Sequence, residues 1–244
     1  MDMNYSTFAA SEQTGCPELC EACSARTISI CKVLPHPELR RLADCGSVKS
    51  YAPGEHLIRE GDASNNVFNI TDGMVMLFRL LSDGRRQVLG FLLKGDFIGL
   101  TAGAEYDIGV LAMTRVQVCR FPRLPFRRLL LETPLLEQEL LARASDELLS
   151  ARTHLTLLGR KTAMERVCSF LLHLADREAR LGGAPDLLFL PMTRTDIADY
   201  LGLTTETVSR SMSFLKRLKA VQLLDHGAVR ILQRSQLVSL SENI

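Results

Sequence analysis

The sequence lacks the features of an exported or membrane protein. No apolar run approaches the ~18 residues that a membrane-spanning helix needs. The first fifteen residues, MDMNYSTFAASEQTG, are polar and contain neither the basic stretch nor the apolar stretch of a signal peptide. We therefore expect a cytoplasmic protein without a membrane partner.

The chain also lacks a dominant charge and the motifs of common enzymes. Its formal net charge is only +1, so overall charge gives no sign of a polyanionic partner. There is no P-loop, no HExxH and no GxSxG motif. The five histidines are dispersed, which is more typical of locally hydrogen-bonded side chains than of catalytic groups. The sequence therefore predicts a protein that is not an enzyme.

Cysteine, in contrast, is abundant and unevenly placed. There are seven, an odd number in a chain without an export signal, which makes a disulfide framework improbable. Four fall within sixteen residues in the pattern C-x3-C-x2-C-x7-C, namely Cys16, Cys20, Cys23 and Cys31. This grouping favours metal binding or redox chemistry. The others are scattered, and we expect Cys45 and Cys168 to be small buried apolar residues.

Length and composition indicate two folded domains, the first of them rich in strands. The 244 residues are 46% hydrophobic and 23% charged, as in ordinary globular proteins. Between Ser47 and Phe121, nine glycines separate short apolar runs such as VFNI and MVMLFRLL. This pattern predicts an all-β roll or barrel of about eight strands. A short amphipathic helix from Pro37 to Cys45 precedes it.

Helices dominate the remainder of the chain. One is predicted from about Thr133 to Gly159 and a second from Ala163 to Leu181, where Gly182-Gly183-Ala184-Pro185 ends it. In the first, apolar residues recur at spacings of 3-4-3-4-3, the seam of a coiled coil. These seam residues are Leu141, Ala144, Leu148, Ala151, Leu155 and Leu158. A stripe this narrow favours a homodimer over a helix that lies along the β-roll.

The segment MTRTDIADYLGLTTETVSRSMSFLKRL carries the most specific local pattern. It predicts a helix that starts at Thr193 or Arg194, a tight turn at Gly202, and a second helix capped by Thr204. A strand at 187–190 and a terminal hairpin with Gly227 at its turn flank it. Residues 191–235 contain seven Lys and Arg against four acids, which favours DNA over a helical hairpin of purely structural role.

Within this segment, Glu206, Ser209 and Arg210 form an ExxSR signature that resembles the recognition helix of the Crp/Fnr superfamily of bacterial transcription regulators. The resemblance covers nearly the whole chain. It implies an α+β fold with a β-roll of the cyclic-nucleotide-binding jelly-roll type, a long dimerisation helix and a C-terminal winged helix-turn-helix. It also implies a homodimer that binds double-stranded DNA and contacts RNA polymerase. The expected division is a cysteine-rich segment of residues 1–36, a sensor roll of 37–132, a dimerisation helix of 133–159 and a DNA-binding domain of 160–244.

Within the superfamily, the cysteines are similar to those of the Fnr-type oxygen sensors. Those proteins hold a [4Fe-4S] cluster with three N-terminal cysteines and one near the end of the roll. The resemblance therefore assigns Cys20, Cys23, Cys31 and Cys119 as ligands. Cys16 is a further thiol, so an all-local site of Cys16, Cys20, Cys23 and Cys31, for zinc or a cluster, stays open. The Cys23-to-Cys31 gap of seven residues occurs in one branch of the family.

The resemblance also bears on ligands and on DNA. Relatives that bind cyclic AMP hold its phosphate with an Arg-Ser or Arg-Thr pair after the GE-x-x-G turn, whereas here Arg115 precedes Val116, so we expect no cyclic nucleotide. DNA contacts are expected from Glu206, Ser209 and Arg210, and also from Thr205 and Lys216. In the family this set goes with TTGAT-N4-ATCAA palindromes.

The expected function is therefore an oxygen-responsive regulator that dimerises under low oxygen and controls anaerobic or microaerobic genes. Two alternatives remain open. One is a regulator that senses a metal or the thiol redox state at the cysteine cluster. The other is a redox protein, an electron carrier or enzyme, that contains a cluster.

Overall fold

The computed structural model describes residues 20–242 and the backbone of residues 13 and 14, with the side chain of His226 left out. Cys16, the alternative ligand, lies outside the described residues. The chain forms two compact units. One comprises Met1–Arg79 and Phe91–Ala144, and the other Leu80–Gly90 and Ser145–Ile244. Within the described ranges, no helix is long and apolar enough to cross a membrane.

Short antiparallel strands form the β-roll, as the glycine-punctuated pattern predicts. Eight lie between residues 47 and 122: β2 (Ser47–Tyr51), β3 (His56–Ile58), β4 (Asn66–Asp72), β5 (Met74–Leu80), β6 (Arg86–Leu93), β7 (Phe97–Ile98), β8 (Gly109–Ala112) and β9 (Val116–Pro122). Together with β1 (Gln13–Thr14) they form two sheets, of order β1-β2-β9-β4-β7 and β3-β8-β5-β6. Fully buried Val75, Val110 and Val118 lie in the core between them.

A second apolar cluster joins the cysteine segment to the roll and to the helices that follow it. It contains Ile30, Leu42, Phe121, Phe126 and Leu136, all of them buried. These residues come from a 3-10 turn, from the helix before the roll, from β9 and from the two helices after it. Packing between distant parts of the sequence therefore fixes the cysteine segment against the end of the roll.

Seven α-helices lie in the described region of the chain. They are α1 (His36–Asp44), α2 (Arg123–Glu132), α3 (Pro134–Arg160), α4 (Ala163–Arg180), α5 (Arg194–Leu201), α6 (Thr205–Arg217) and α7 (Arg234–Ser241). Two 3-10 turns cover Ile30–Val33 and Asp225–Gly227. A small sheet of order β10-β12-β11 contains β10 (Leu187–Phe189), β11 (Val221–Leu223) and β12 (Ala228–Ile231). The predicted helix ends agree to within one or two residues.

Local capping residues explain why the ends of the two helices of the helix-turn-helix are predictable from the sequence. Thr193 and Asp196 form a capping box at the start of α5, and Thr204 caps α6 by accepting a hydrogen bond from the Thr207 amide. Gly202 ends α5 in the left-handed conformation, with φ of 60°. Each of these signals is a residue that acts on its own neighbouring backbone.

The capping box generates a stability prediction for the second unit. Thr193→Ala removes a hydroxyl that accepts a hydrogen bond from the Asp196 amide and donates one to the Asp196 carboxylate. We expect a loss of ~1 kcal/mol in the free energy of unfolding, as is typical for a lost N-cap. Urea denaturation followed by circular dichroism measures it, with Thr193→Ser as the matched control. An alanine variant as stable as the serine variant would contradict the assigned cap.

Candidate functional site

Four cysteines line one cavity of the first unit. Cys20, Cys23, Cys31 and Cys119 surround a space of about 390 Å³. Much of the remaining wall is apolar, with Leu42, Val48 and Phe121 among the lining residues. The fold thus brings together three N-terminal thiols and one from the far end of the roll. These are the four that the family resemblance assigns as ligands.

Strand register and a capped turn position the two most buried of these thiols. Cys119 lies in β9, where its cross-strand neighbours are Val48 on β2 and Asn69 on β4. Cys31 lies in the Ile30–Val33 turn, whose N-cap is Ser29; the Cys31 amide donates to the Ser29 hydroxyl over 3.3 Å. Because Ile30 is fully buried in the apolar cluster, the turn holds Cys31 at the cavity wall.

Burial and the neighbouring thiols favour the protonated form of Cys31 and of Cys119 when these two have no positive partner. Burial raises the pKa of Cys31 to about 11, and the nearby Cys20 and Cys23 act in the same direction, although the Ser29 hydrogen bond opposes them. Burial also raises the pKa of Cys119 far above its ordinary value, with further contributions from the other three thiols. Bound cations would remove this penalty and release protons as they bind.

The type of side chain around the cavity determines which cofactors it suits. Among the described residues, no three His, Cys, Asp or Glu side chains are arranged to hold a single metal ion. The four thiols instead stand around a cavity. Thiolates are soft ligands, four of them complete the coordination of a [4Fe-4S] cluster, and a largely apolar shell limits access of water. The residues present therefore fit such a cluster.

The two remaining described cysteines lie outside the cavity lining. Cys45 packs against the apolar cluster beside α1, and burial raises the pKa of its thiol to about 11. Cys168 is fully buried in α4, where burial likewise raises its pKa to about 11. Cys168 is therefore buried as the sequence predicts, whereas Cys45 is only half-buried.

The second candidate site is the exposed face of α6. Val208, Met212 and Leu215 are buried on its inner side. Its outer side is polar and is formed by Glu206, Ser209, Arg210, Ser213, Lys216 and Arg217. The amphipathic helix therefore presents to solvent the three polar residues of the ExxSR signature, together with Lys216.

Two contacts organise this face. The Arg210 guanidinium donates to the Glu206 carboxylate over 2.5 Å, and the two side chains are 78% and 70% exposed. Such an exposed pair is weak, so a competing partner can separate it at little cost. The hydroxyls of Thr205 and Thr195 lie 3.5 Å apart and link α6 to the start of α5.

The predicted seam on α3 is largely exposed in the single chain. Leu141 and Leu155 are both 68% exposed and Leu148 is 52% exposed. Ala151 is also exposed, whereas Ala144 and Leu158 are half-buried. Leu158 lies against the turn of the helix-turn-helix, where a Cβ on Gly202 would meet its side chain at 3.3 Å. The last seam position is therefore shared with a contact inside the chain.

Several structural contacts of the second unit have no counterpart in the sequence analysis. Arg166 donates to the carbonyls of Leu158, Lys161 and Leu201, which joins the end of α3 to α5. The His154 ring stacks on Tyr200 with centroids 4.2 Å apart. An isolated Arg or His in a helix gives no local signal of a distant carbonyl or ring, so these roles were not predictable from spacing.

A third such contact involves the start of β6. Arg86 pairs with Asp196 over 2.5 Å and with Asp199 over 2.8 Å. Gln87 donates to the Asp199 carbonyl. The start of β6 is thereby bound to α5, the first helix of the helix-turn-helix.

Comparison with known proteins follows the same division into two regions. The model of the cyclic nucleotide-binding domain matches residues 48–133, and that of the Crp-like helix-turn-helix domain matches residues 165–240. The nitrogen fixation regulation protein FixK of Bradyrhizobium diazoefficiens is 40% identical over 222 residues, which cover 91% of this chain and 93% of that protein. The transcriptional activator protein FnrL of Cereibacter sphaeroides is 40% identical over 202 residues, which cover 81% of this chain and 82% of that protein.

A solved structure supports the same relationship. FixK2 from Bradyrhizobium japonicum has a TM-score of 0.74 and 35% sequence identity, covering 80% of this chain and 96% of that one. The predicted fold class is confirmed: a β-roll, a long helix and a C-terminal helix-turn-helix in that order. The relatives are transcription regulators rather than enzymes, as the sequence also predicts. The chain therefore belongs to the Crp/Fnr family of DNA-binding transcription regulators.

Proposed function

We propose that this regulator is controlled by oxygen through a [4Fe-4S] cluster bound by Cys20, Cys23, Cys31 and Cys119. The observation that carries the proposal is the convergence of these four thiols on one cavity. When bound, the cluster supplies iron–sulfide chemistry that oxygen attacks. The protein's own contribution is to hold four thiolates at fixed positions in a largely apolar cavity. Residues 1–36 then form the sensing segment, 37–132 the roll, 133–159 the dimerisation helix and 160–244 the DNA-binding domain.

A sensor based on thiol oxidation is a weaker candidate on the same geometry. The thiolate is the form that reacts with oxidants, and reactive cysteines have lowered pKa values. Here burial raises the pKa of both Cys31 and Cys119. Protonated, buried thiols are poor redox switches but become good ligands once a metal replaces the proton. The electrostatics of the cavity therefore favour a metal-containing cofactor.

The β-roll is proposed to be a scaffold without a cyclic nucleotide. A cyclic phosphate needs a cation and a hydroxyl at adjacent positions. Arg115 is exposed, but Val116 after it is fully buried and has no hydroxyl. The hydroxyl of Thr114 before it is bonded to the Met74 amide and the Arg115 carbonyl.

The ligand set generates a spectroscopic prediction. Cys20→Ser, Cys23→Ser, Cys31→Ser and Cys119→Ser should each abolish the broad visible absorption and the stoichiometric iron and sulfide of anaerobically purified protein, because each leaves one iron without its thiolate. Cys45→Ser and Cys168→Ser are the matched controls and should keep the cluster. Cys16→Ser should have only a mild effect. Loss of the cluster in Cys16→Ser together with its retention in Cys119→Ser would instead establish the all-local site.

The homodimer is proposed to form through the seam on α3. Its leucines are exposed in the single chain, and their 3-4 spacing places them on one side of the helix. Paired with a second copy, they would be buried as in a coiled coil. Once on DNA, such a dimer would contact RNA polymerase, as the family resemblance implies.

The seam can be tested with a matched pair of leucines. Leu148→Glu should give a monomer without DNA binding, because the dimer would bury an unpaired carboxylate. Leu149 is 62% exposed but lies off the stripe, so Leu149→Glu should leave the dimer intact. Sedimentation velocity of anaerobic protein separates the two. Equal behaviour of both variants would remove the proposed seam.

The polar face of α6 is proposed to read DNA in the major groove. An Arg can donate two hydrogen bonds to guanine O6 and N7, a Glu can accept from cytosine N4, and a Ser can bond either kind of base edge. Arg210, Glu206 and Ser209 together suit a G·C pair and its neighbour. Thr205 lies at the N-terminal end of the helix and Lys216 near its C-terminal end, where it can contact phosphate. For a two-fold dimer this corresponds to TTGAT-N4-ATCAA, with half-sites about one helical turn apart.

Base readout and phosphate binding can be separated by mutation. Arg210→Ala should cost ~1–3 kcal/mol of binding free energy and relax the preference at the G·C position. Lys216→Ala should weaken binding to all sequences alike and reduce the slope of log affinity against log salt by about 1. Fluorescence anisotropy titrations on a panel of half-site variants at several salt concentrations measure both. A uniform loss for Arg210→Ala would show that Arg210 contacts the backbone instead.

A further inference from the structure

A buried ion pair connects the cysteine loop to the long helix. Glu139 on α3 is only 8% exposed, and its carboxylate accepts from two cations. Lys32, next to Cys31, lies 2.9 Å from the Glu139 oxygen, and Arg143, one helical turn further along α3, lies 2.8 Å from it. Both hydrogen bonds lower the pKa of Glu139 against the opposing effect of burial. The carboxylate is therefore charged and shared between the loop and the helix.

Arg143 extends the same connection to the middle of the loop. Its guanidinium donates to the carbonyl of Ile28 over 2.6 Å, and weakly to that of Gly95 over 3.4 Å. Gly95 has a φ of +92°, and a Cβ there would meet the Ile28 carbonyl at 3.0 Å. The loop is thus clamped between a glycine turn of the roll and one face of α3.

This clamp lies between two of the proposed ligands. Ile28 and Ser29 stand between Cys23 and Cys31, whose thiols line the cavity at either end of the loop. The backbone hydrogen bonds of the loop itself are local, such as those from the Ser29 amide to the Ala25 carbonyl and from the Lys32 amide to the Ser29 carbonyl, and do not tie it to α3. An occupant that bridges the two thiols adds to the packing of Ile30 and therefore holds the Ile28 carbonyl and Lys32 more firmly against α3.

The clamp also lies on the opposite side of α3 from the seam. Leu136 and Leu140 are buried on the same side as Glu139, whereas Leu141 and Leu148 are exposed. A helix is stiff over these few turns, so a change in the seating of the Glu139 face changes the direction in which the seam points. A coiled-coil interface tolerates little error in that direction.

We infer that Glu139 and Arg143 are coupling residues, which transmit the occupancy of the cysteine loop to the dimer seam through Lys32 and the Ile28 carbonyl. This inference rests on the proposed function, because the group that occupies the cysteine loop is the proposed cluster. It assigns Glu139 and Arg143 neither a ligand role nor a DNA contact. A ligand shifts an equilibrium only through its different affinity for two states, and here the two states differ in whether the loop is seated on α3.

The test compares Glu139→Gln with Asp146→Asn, an exposed acid two turns further along α3 on the side away from the seam. Cluster content is measured by visible absorption with iron and sulfide analysis, and the dimer dissociation constant by sedimentation equilibrium, both before and after exposure to air. We expect Glu139→Gln to load the cluster like the unsubstituted chain, yet to raise the dimer dissociation constant of the loaded form about tenfold, the effect of one charge-assisted hydrogen bond. The ratio of the dissociation constants of the air-exposed and loaded forms should shrink by the same factor. Asp146→Asn should change neither quantity.

Two further variants guard against misfolding and surface-charge effects. Lys32→Met changes a side chain that is 42% exposed, and it should reproduce the effect with normal circular dichroism. Combined with Glu139→Gln it should add little, because both remove the same interaction. An unchanged ratio in a cluster-loaded Glu139→Gln protein, or full additivity of the two substitutions, would overturn the coupling.

A separate measurement tests whether the clamp exists if the protein takes up no iron. Hydrogen exchange of the iron-free chain reports on the amides of residues 25–34 directly. Glu139→Gln should speed their exchange about tenfold relative to Asp146→Asn. Faster exchange in a chain that never binds iron would leave the clamp in place and refute the proposed cluster. Equal exchange in the two variants would refute the clamp itself.

Discussion

The packing of the cysteine segment against the end of the roll is the constraint on which the first unit of the molecule depends. Ile30, Phe121 and Leu136 belong to one buried cluster, although they come from a turn, a strand and a helix far apart in sequence. Their burial holds Cys31 within reach of the cavity that Cys119 lines from β9. At roughly 25 cal/mol for each Å² of buried apolar surface, such side chains contribute a few kcal/mol each. The thiols are therefore positioned by apolar contacts before any cofactor binds.

The same apolar surroundings disfavour the charged thiolate form of the cysteines that line the cavity. Burial raises the pKa of the two most enclosed thiols, so the pocket disfavours thiolates that have no positive partner. Protonated, enclosed thiols of this kind react slowly with oxidants, because the thiolate is the form that oxidises or exchanges. Burial of these thiols therefore favours the binding of a positively charged group over direct oxidation of the thiols.

Features that were predictable from sequence are those encoded by neighbouring residues. The capping box of Thr193, the left-handed Gly202 and the 3-4 spacing of the α3 leucines each act within one or two turns of helix, and the structure places the elements accordingly. The fourth thiol differs, because nothing near Cys119 marks it as a partner of Cys31, and only the family resemblance named it. The Glu139 network is harder still, since its partners are a lysine over a hundred residues away and, through Arg143, a backbone carbonyl. Long-range polar contacts depend on the finished fold, which local patterns do not contain.

The Arg86 contact has a consequence for how the chain can be divided. Residues 80–90 pack with the C-terminal unit, where Arg86 balances Asp196, a carboxylate that is only 6% exposed. A fragment that begins at residue 145 would contain the whole helix-turn-helix but would leave that buried charge without its guanidinium. The DNA-binding half is consequently not a contiguous cassette. Exchange of the DNA-binding half between relatives would require residues 80–90 to be exchanged with it. That segment ends more than fifty residues before the rest of the unit begins.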